Sequence, residues 1–228
     1  MLLVNQLNGF GAGGVPAVPI SFTSVDTPAA NTTSQTTYTF SSASFGSAAS
    51  DRVIVVAFAS RANTTGRTIS SVTIGGVAAT AAAVGNYSSG GASDFAAIYY
   101  AEVPSGTTGD VVITFSAAML RCALQVFRMT GQDSVTPSAT APDTTGDPMD
   151  GDVNVVAGGA AVGVSATGGA SGGTVWTGLT ESTDTAIFGT HEWSTAFAEI
   201  SAAETPRDIS ANIPASVTSQ CLAVAAWA

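Results

Sequence analysis

Few residues of this chain have the types and spacing that catalysis needs. His191 is the only histidine, and Glu192 and Trp193 follow it. A general base needs a nucleophile within hydrogen-bond reach and a group that orients it, and no serine lies in a G-x-S-x-G elbow that would identify one. One histidine and two distant cysteines also lack the ligand spacing of a zinc site. The sequence therefore predicts no catalytic residue, no enzyme activity, no metal site and no cofactor.

The densest group of carboxylates lies in one segment rich in Gly and Pro, at Asp143, Asp147, Asp150 and Asp152. Such a segment can gather calcium, which takes six to eight oxygen ligands. The spacing differs from that of the EF-hand loop, and acidic runs are usually solvated. A solvated loop is the preferred interpretation, and a calcium site is the alternative.

Aromatic side chains are the other residues with recognition chemistry, because their rings can stack on sugars. They make up 7% of the chain, so most are needed for the core. Tyr87 and Trp176 are the candidate glycan contacts. They support the alternative function considered below, a carbohydrate-binding adhesin or tail receptor-binding domain.

Charge excludes one class of partner. Charged residues make up 10% of the chain, the net charge is -10, and there is no lysine. A nucleic-acid-binding protein needs a basic footprint, and the six arginines are scattered along the sequence, which also argues against a phosphate-binding cluster. A surface with so few charges favours self-association. We therefore expect no nucleic-acid partner, and we expect a homo-oligomer or an assembly with other proteins.

The location of the protein is predicted from its cysteines and its first residues. Cys122 and Cys221 are the only cysteines, and as buried thiols they suit a reducing cytosol; one long-range disulfide is the alternative. The first residues have no basic region followed by an apolar core of signal-peptide length. No run of 18 apolar residues predicts a membrane span. Synthesis in the cytoplasm, without membrane insertion, is the expectation.

Residues 1–19 form a segment rich in Gly and Pro that nevertheless carries large apolar side chains, among them Leu3, Val4, Leu7 and Phe10. A solvated linker does not need these side chains. One interpretation is a terminus that packs on its own domain. The other is a flexible arm that docks on a neighbouring subunit through these four residues.

Apolar runs of strand length, bounded by turn-forming residues, succeed one another from residue 20 onward, and helical periodicity is hard to find. Residues 53–58 are apolar on both faces, as in a strand buried within a sandwich. The predicted fold is all-β, a large jelly-roll-like β-sandwich over residues 20–228. The predicted strands span 20–25, 36–40, 52–60, 68–74, 77–84, 95–103, 111–115, 120–129, 153–157, 160–166, 174–179, 181–188, 193–201, 209–213 and 221–227.

Several landmarks recur in the same order in both parts of the chain. YYAEV at 99–103 is matched by AFAEI at 196–200, and Cys122 opens CALQVF as Cys221 opens CLAVAAW. These matches predict two related halves, about 50–130 and 155–228, joined by a loop at 131–152. Chance is the alternative in a chain so rich in Ala, Val, Thr and Gly. If the repeat is real, two sheets on one plan face each other, or two small sandwiches lie in tandem; we prefer the first.

Three segments, LNGFGAGG, SVTIGGVAAT and AAIYYAEVPSGTTGDVVITFS, cover about a sixth of the chain. They resemble the Ala- and Gly-rich, lysine-poor β proteins encoded among the structural genes of tailed bacteriophages. The resemblance implies a virion accessory protein, namely a capsid decoration (cement), head-fibre or tail accessory protein. It implies other virion subunits, in the capsid or the tail, as partners and the virion as the location. The resemblance transfers no functional residue.

Overall fold

The computed structural model describes residues 18–169, 172–214 and 216–228, and these ranges contain only β-strands, turns and irregular segments. Among them, no helix is long and apolar enough to cross a membrane. The all-β prediction is therefore confirmed. The proposed docking residues Leu3, Val4, Leu7 and Phe10 lie outside the described ranges.

The first half of the chain forms two antiparallel sheets from ten strands. These strands are β1 (Ser21–Ser24), β2 (Ala29–Asn31), β3 (Gln35–Ser44), β4 (Val53–Ala62), β5 (Ile69–Ile74), β6 (Val77–Ala78), β7 (Thr80–Ser89), β8 (Ala92–Glu102), β9 (Thr108–Met119) and β10 (Arg121–Thr130). Large sheet 1 has the order β1-β10-β4-β8-β7, with β2 also paired to β10. Small sheet 1 has the order β3-β9-β5-β6.

The second half forms a second pair of sheets from the remaining strands. These are β11 (Ala139–Asp143), β12 (Met149–Asp150), β13 (Val153–Val155), β14 (Ala160–Gly168), β15 (Val175–Thr177), β16 (Thr180–Phe188), β17 (His191–Glu199), β18 (Glu204–Arg207), β19 (Ser210–Asn212) and β20 (Ser219–Trp227). Large sheet 2 has the order β11-β20-β14-β17-β16, and small sheet 2 has the order β12-β19-β15. Strands β13 and β18 pair separately.

Each half is a sandwich because alternate side chains of its large sheet point toward its small sheet. In the first half, Val56 and Phe58 of β4 are buried with Ile113 of β9. In the second half, Val224 of β20 is buried with Ile209, next to β19. Two sandwiches therefore lie in tandem, and their large sheets face each other.

The two halves share one topology. When β1, β10, β4, β8 and β7 are replaced by β11, β20, β14, β17 and β16, the order of large sheet 1 becomes that of large sheet 2. The same holds for β3-β9-β5 and β12-β19-β15. A common origin of the halves stays a prediction, as does the jelly-roll designation.

The cysteine landmark of the sequence repeat is one residue out of register. Cys122 points into the first sandwich with Leu124. In β20 the residues that point into the second sandwich are Leu222 and its alternate neighbours, whereas Cys221 faces large sheet 1. A slip of one residue moves a strand's side chains to the opposite face. Both thiols are buried and free, and they lie in different layers.

The layer between the two large sheets combines small side chains, such as Ala57, Ala96 and Ala223, with large ones, such as Trp193 and Trp227. Cα atoms of β20 come within 8 Å of Cα atoms of β7 and β8, whereas packed sheets usually lie about 10 Å apart. At Gly85 of β7, even a methyl group would overlap the main-chain carbonyl oxygen of Leu222. The two sandwiches therefore form one four-layered body.

All of the predicted strands coincide with observed strands, although their ends shift by a few residues. The predicted segment 77–84 contains a break, so it divides between β6 and β7. The predicted loop at 131–152 differs from the structure, because it supplies β11 and β12. These strands are short, and apart from the buried Met149 they hold no large apolar residue; main-chain pairing with neighbouring strands holds them in place.

Arg52 shows how this chain buries a cation without a carboxylate. It is almost fully buried at the start of β4. Its guanidinium donates to five main-chain carbonyl oxygens, among them Val103 at 2.6 Å and Ser105 and Gly106 at 2.8 Å. Arg52 therefore fixes the loops at one end of the first sandwich, with no donor left for a ligand.

Close approach of the large sheets can be tested at Gly85. We expect Gly85→Ala to lower the free energy of unfolding by about 1–3 kcal/mol, the usual cost of overpacking a core. Asn86→Ala is the matched control, because Asn86 is the next residue of β7 and its side chain is exposed. Urea unfolding followed by tryptophan fluorescence measures both variants; equal unfolding midpoints would contradict the packing described here.

Candidate functional site

A row of four polar or aromatic side chains crosses one end of large sheet 1. Strand register places Arg121 opposite Arg61, Arg61 opposite Asp94, and Asp94 opposite Tyr87. All four belong to the face that meets large sheet 2, since alternate residues of these strands fill the layer between the sheets. Residues far apart in the sequence thus become immediate neighbours.

A second row faces the first from large sheet 2. Here Phe188 pairs with His191, His191 with Gly168, and Gly168 with Ser219. A Cβ atom at position 168 would overlap the Arg61 guanidinium and crowd the Ser219 hydroxyl. Glycine at this position therefore leaves the space through which Arg61 reaches the opposite sheet.

Arg61 joins the two rows. Its Nη1 donates to Asp94 Oδ2 at 2.9 Å, to Asp94 Oδ1 at 3.2 Å and to Ser219 Oγ at 2.7 Å. Burial raises the pKa of the Asp94 carboxyl, while the contacts with Ser219 and Arg61 act in the opposite direction. The pair links the two sandwiches through a charged hydrogen bond, which is stronger than a neutral one.

His191 is buried beside this pair without a hydrogen bond. Its side chain is 2% exposed, and its Nε2 lies 3.6 Å from Asp94 Oδ1, too far for a good hydrogen bond. Neither ring nitrogen has a partner among the described residues. Burial, followed by repulsion from Arg61 and Arg121, lowers the pKa of His191 to about 3. The imidazole is therefore neutral at pH 7.

The cluster holds the residue types of a Ser-His-Asp triad, but the order of contacts differs. In a triad the histidine accepts from the serine and donates to the aspartate. Here Arg61 is the residue that bridges Asp94 and Ser219. An imidazole whose pKa is about 3 is also poorly matched to proton transfer near neutral pH. The arrangement fits binding of a ligand better than acyl transfer.

The two rows border a pocket of about 410 Å³ between the sandwiches, which we call the arginine pocket. His191 and Gly168 form its buried floor, and exposed residues form its mouth. Its lining residues are Arg61, Asn63, Arg121, Gly168, Gly169, Phe188, Gly189, Thr190, His191 and Thr218. Both halves of the chain therefore contribute to the site.

Arg121 lies at one side of the mouth. Its Nη1 donates to the main-chain oxygen of Phe188 at 2.8 Å, and its Cζ lies 5.0 Å from the centre of the Phe188 ring. Burial, followed by repulsion from Arg61, lowers the pKa of Arg121. The hairpin between β16 and β17 thus holds the second guanidinium in place beside the first.

The two predicted glycan contacts lie in different sheets. Tyr87 packs on the layer between the large sheets, and its hydroxyl donates to the main-chain oxygen of Thr218 at 3.2 Å. Trp176 packs in the second sandwich, and its Nε1 donates to Ser194 Oγ at 2.7 Å. The two rings therefore do not form one platform, and glycan contact at either stays a prediction.

The acidic segment is organised by its own carboxylates. Asp143 accepts main-chain N–H groups of Thr145 and Asp150 at 2.9 Å, and Asp152 accepts the N–H of Ile209 at 2.8 Å. Burial would raise the pKa of Asp143, but the hydrogen bonds from Asp150 and Thr145 lower it overall. Within residues 18–169, 172–214 and 216–228, no three His, Cys, Asp or Glu side chains converge. These carboxylates hold loop main chain.

Sequence reasoning missed Asp94, Arg61 and Arg121 as members of one site. The arginines are scattered along the sequence, but the pairing of β4 with β10 places Arg61 and Arg121 opposite each other, so their sequence spacing did not exclude a pair of arginines in one site. Aligning β4 and β10 from the ends that carry Arg61 and Arg121 could have paired these two arginines. Only the tertiary structure, however, shows that the two strands are neighbours.

The neutral state of His191 gives a testable pH dependence. An unfolded chain protonates this histidine near its ordinary pKa of about 6.5, but the folded chain does not. The folded-state pKa is lowered, so His191 contributes stability that is present above pH 6.5 and is lost as pH falls toward 3. We expect the histidine NMR signal of the folded protein to be constant from pH 8 to pH 5.

The control is the same signal in urea, which we expect to titrate near 6.5. The stability of His191→Gln relative to wild type is expected to improve on acidification by up to about 1.4 kcal/mol per pH unit. Arg61, Arg121 and Asp94 face position 191 in both proteins. A folded-state titration of the histidine signal between pH 6 and 7 would refute the assignment.

Comparison with known proteins adds no family to these observations. No protein-family model, curated protein or solved structure matches the chain. The function is therefore argued from the geometry and chemistry of the described residues.

Proposed function

We propose that the chain is a non-enzymatic structural protein of a virion, most simply a capsid decoration (cement) or head-fibre protein that docks on other virion subunits. Its resemblance to phage structural proteins and its low content of charged residues support this proposal. A part that assembles into a symmetric shell works by burying surface rather than by chemistry.

One structural observation carries the proposal: apolar surface is exposed where the described chain begins. Val18 is 72% exposed and lies in the same shallow depression as Val156, which is 45% exposed. A groove of about 410 Å³, bordered by Ile20, Gly159 and Ile200, lies next to it. Exposed apolar surface of this kind commonly marks a site of protein interaction.

The four-layered body suits this role. Side chains of the two large sheets form one buried cluster, and the sheets come into close contact at Gly85, which favours one rigid unit. A rigid body loses little conformational entropy when it binds a neighbour. Residues 1–17 would then supply the adaptable part of the contact, with Leu3, Val4, Leu7 and Phe10 as the anchors.

Deletion of residues 1–17 tests the arm. We expect the truncated protein to fold with an unchanged unfolding midpoint, since the described body is intact, and to lose most of its incorporation into particles. Occupancy on purified particles, measured by quantitative mass spectrometry, is the readout. A full-length chain with Leu3, Val4, Leu7 and Phe10 changed to serine is the matched control for length, and we expect it to lose incorporation into particles as well. Full occupancy of both variants would contradict the arm proposal.

A carbohydrate-binding adhesin or tail receptor-binding domain is the second candidate. The observation that favours it is the Phe188 ring, which is 62% exposed at the mouth of the arginine pocket, close to Asn63 and Thr190. An exposed ring beside polar side chains is an arrangement suited to stacking on a sugar.

A glycan array with the intact protein separates the two candidates. Under the virion-assembly proposal, we expect no uncharged glycan to bind. Binding that is lost in Phe188→Ala, but kept in Phe40→Ala on small sheet 1, would instead favour the adhesin. Phe40 is a suitable control because it lies in β3, outside the arginine pocket.

A further inference from the structure

The two arginines of the arginine pocket are placed unfavourably unless something negative joins them. Arg61 and Arg121 lie directly opposite each other on adjacent strands, and like charges in such a pair repel. Asp94 compensates Arg61 from its other side. Arg121 has only a main-chain oxygen and an aromatic ring as recorded partners in the described part of the chain.

The lining of the pocket is positive although the chain is acidic. Two of the six arginines border it, but none of the sixteen acidic residues does. Asp94 lies behind Arg61 and not in the pocket wall. Packing alone does not require a locally positive pocket in a chain whose net charge is -10.

His191 provides a third unsatisfied group on the pocket floor. Buried polar side chains are normally hydrogen-bonded, and each exception calls for an explanation. Gln125 shows what this layer achieves elsewhere: it is also 2% exposed, yet its amide binds Ser24, Ser182 and Thr195. His191 has no such partner and borders an open pocket instead.

The geometry points to an anion-binding site in which a carboxylate or phosphate group lies between the guanidinium groups of Arg61 and Arg121, above the buried ring of His191. Within the described residues only Nη1 of each arginine donates a hydrogen bond, so other N–H groups remain for the ligand. The planar fork of arginine matches the oxygen spacing of both groups. This inference does not depend on the proposed virion function.

Size and charge narrow the ligand to a small molecule. A pocket of about 410 Å³ lies within the usual range for small-molecule sites, which is about 300–1,000 Å³. The net charge of -10 disfavours a long polyanion, whose further charges would meet acidic surface. A single anionic group on a small organic molecule, or free inorganic phosphate, fits.

Protonation of His191 is expected to become less costly when an anion binds. The groups that face its ring are Arg61 and Arg121, which oppose a proton, and Asp94, which favours one. A bound anion would offset the two arginines, so the protonated ring would be less costly in the complex. By linkage, the anion then binds more tightly as the pH falls.

Because His191 is the only histidine, its ring signal in a ¹H–¹³C NMR spectrum reports on this site alone. The intact protein is titrated with sodium phosphate and with sodium glucuronate, each against sodium chloride at equal ionic strength. We expect a saturable shift with phosphate, glucuronate or both, which distinguishes the two sources of anion. Glucuronate binding, where present, should strengthen from pH 7 to pH 5.

Arg121→Gln is the decisive variant, because Arg121 is partly exposed and its replacement removes one fork without opening the core. We expect it to weaken anion binding by about tenfold to a hundredfold, the usual effect of losing charge-assisted hydrogen bonds. Arg207→Gln is the matched control, since Arg207 lies in β18 outside the pocket and its loss should leave affinity unchanged.

Unfolding midpoints without added anion show whether each variant folds. Should Arg121→Gln fail to fold, Arg121→Lys takes its place. Lysine keeps the positive charge but lacks the planar fork of arginine, so this variant is expected to bind the anion more weakly than wild type. The inference is overturned if phosphate and glucuronate shift the His191 signal no more than chloride does. It is equally overturned if the folded Arg121 variant binds as tightly as Arg207→Gln.

Discussion

The structure depends on one contact, the face-to-face packing of two large β-sheets. The layer between them combines alanines, such as Ala57 and Ala223, with large residues that include Trp193 and Trp227. At Gly85 the sheets approach so closely that the carbonyl oxygen of Leu222 occupies the place where a side chain of residue 85 would lie. The contact therefore relies on close packing and on a correct strand register.

This close approach also creates the polar site. Rows of residues at one end of the facing sheets are brought together, and a guanidinium can cross between them only because Gly168 has no side chain. The Arg61–Asp94 pair and Ser219 then tie the two halves together. The same geometry leaves both ring nitrogens of His191 without a hydrogen-bond partner among the described residues, beside the arginine pocket. The contacts that join the two halves and the lining of the pocket thus come from one set of strands at this end of the molecule.

The shared strand order gives the site an asymmetric setting. Both halves use one topology, yet the residues that form the arginine pocket have no matching set in the other half: the register that pairs Arg61 with Asp94 pairs Ala166 with Trp193. Ala166 and Trp193 are apolar residues of the layer between the sheets. Two halves of one topology therefore differ in the polar side chains that they carry at this position, as expected when function lies in particular side chains and not in the fold.

By itself, the sequence determined the class of fold and nearly all of its strands, because alternating and continuous apolar runs between turn residues have few other structural solutions. Short strands such as β11 and β12 were not predicted, because main-chain pairing and not an apolar side-chain pattern holds them. The sequence showed the repeat as matching segments in the same order, but it aligned Cys221 with Cys122, one residue away from the structural match. Cys221 therefore lies on the opposite face of its strand from the one that this alignment implies. Only the tertiary structure decided that Arg61, Asp94, Arg121 and His191 share one site, because strand pairing and sheet packing join residues that the chain separates by up to 130 positions, from Arg61 to His191.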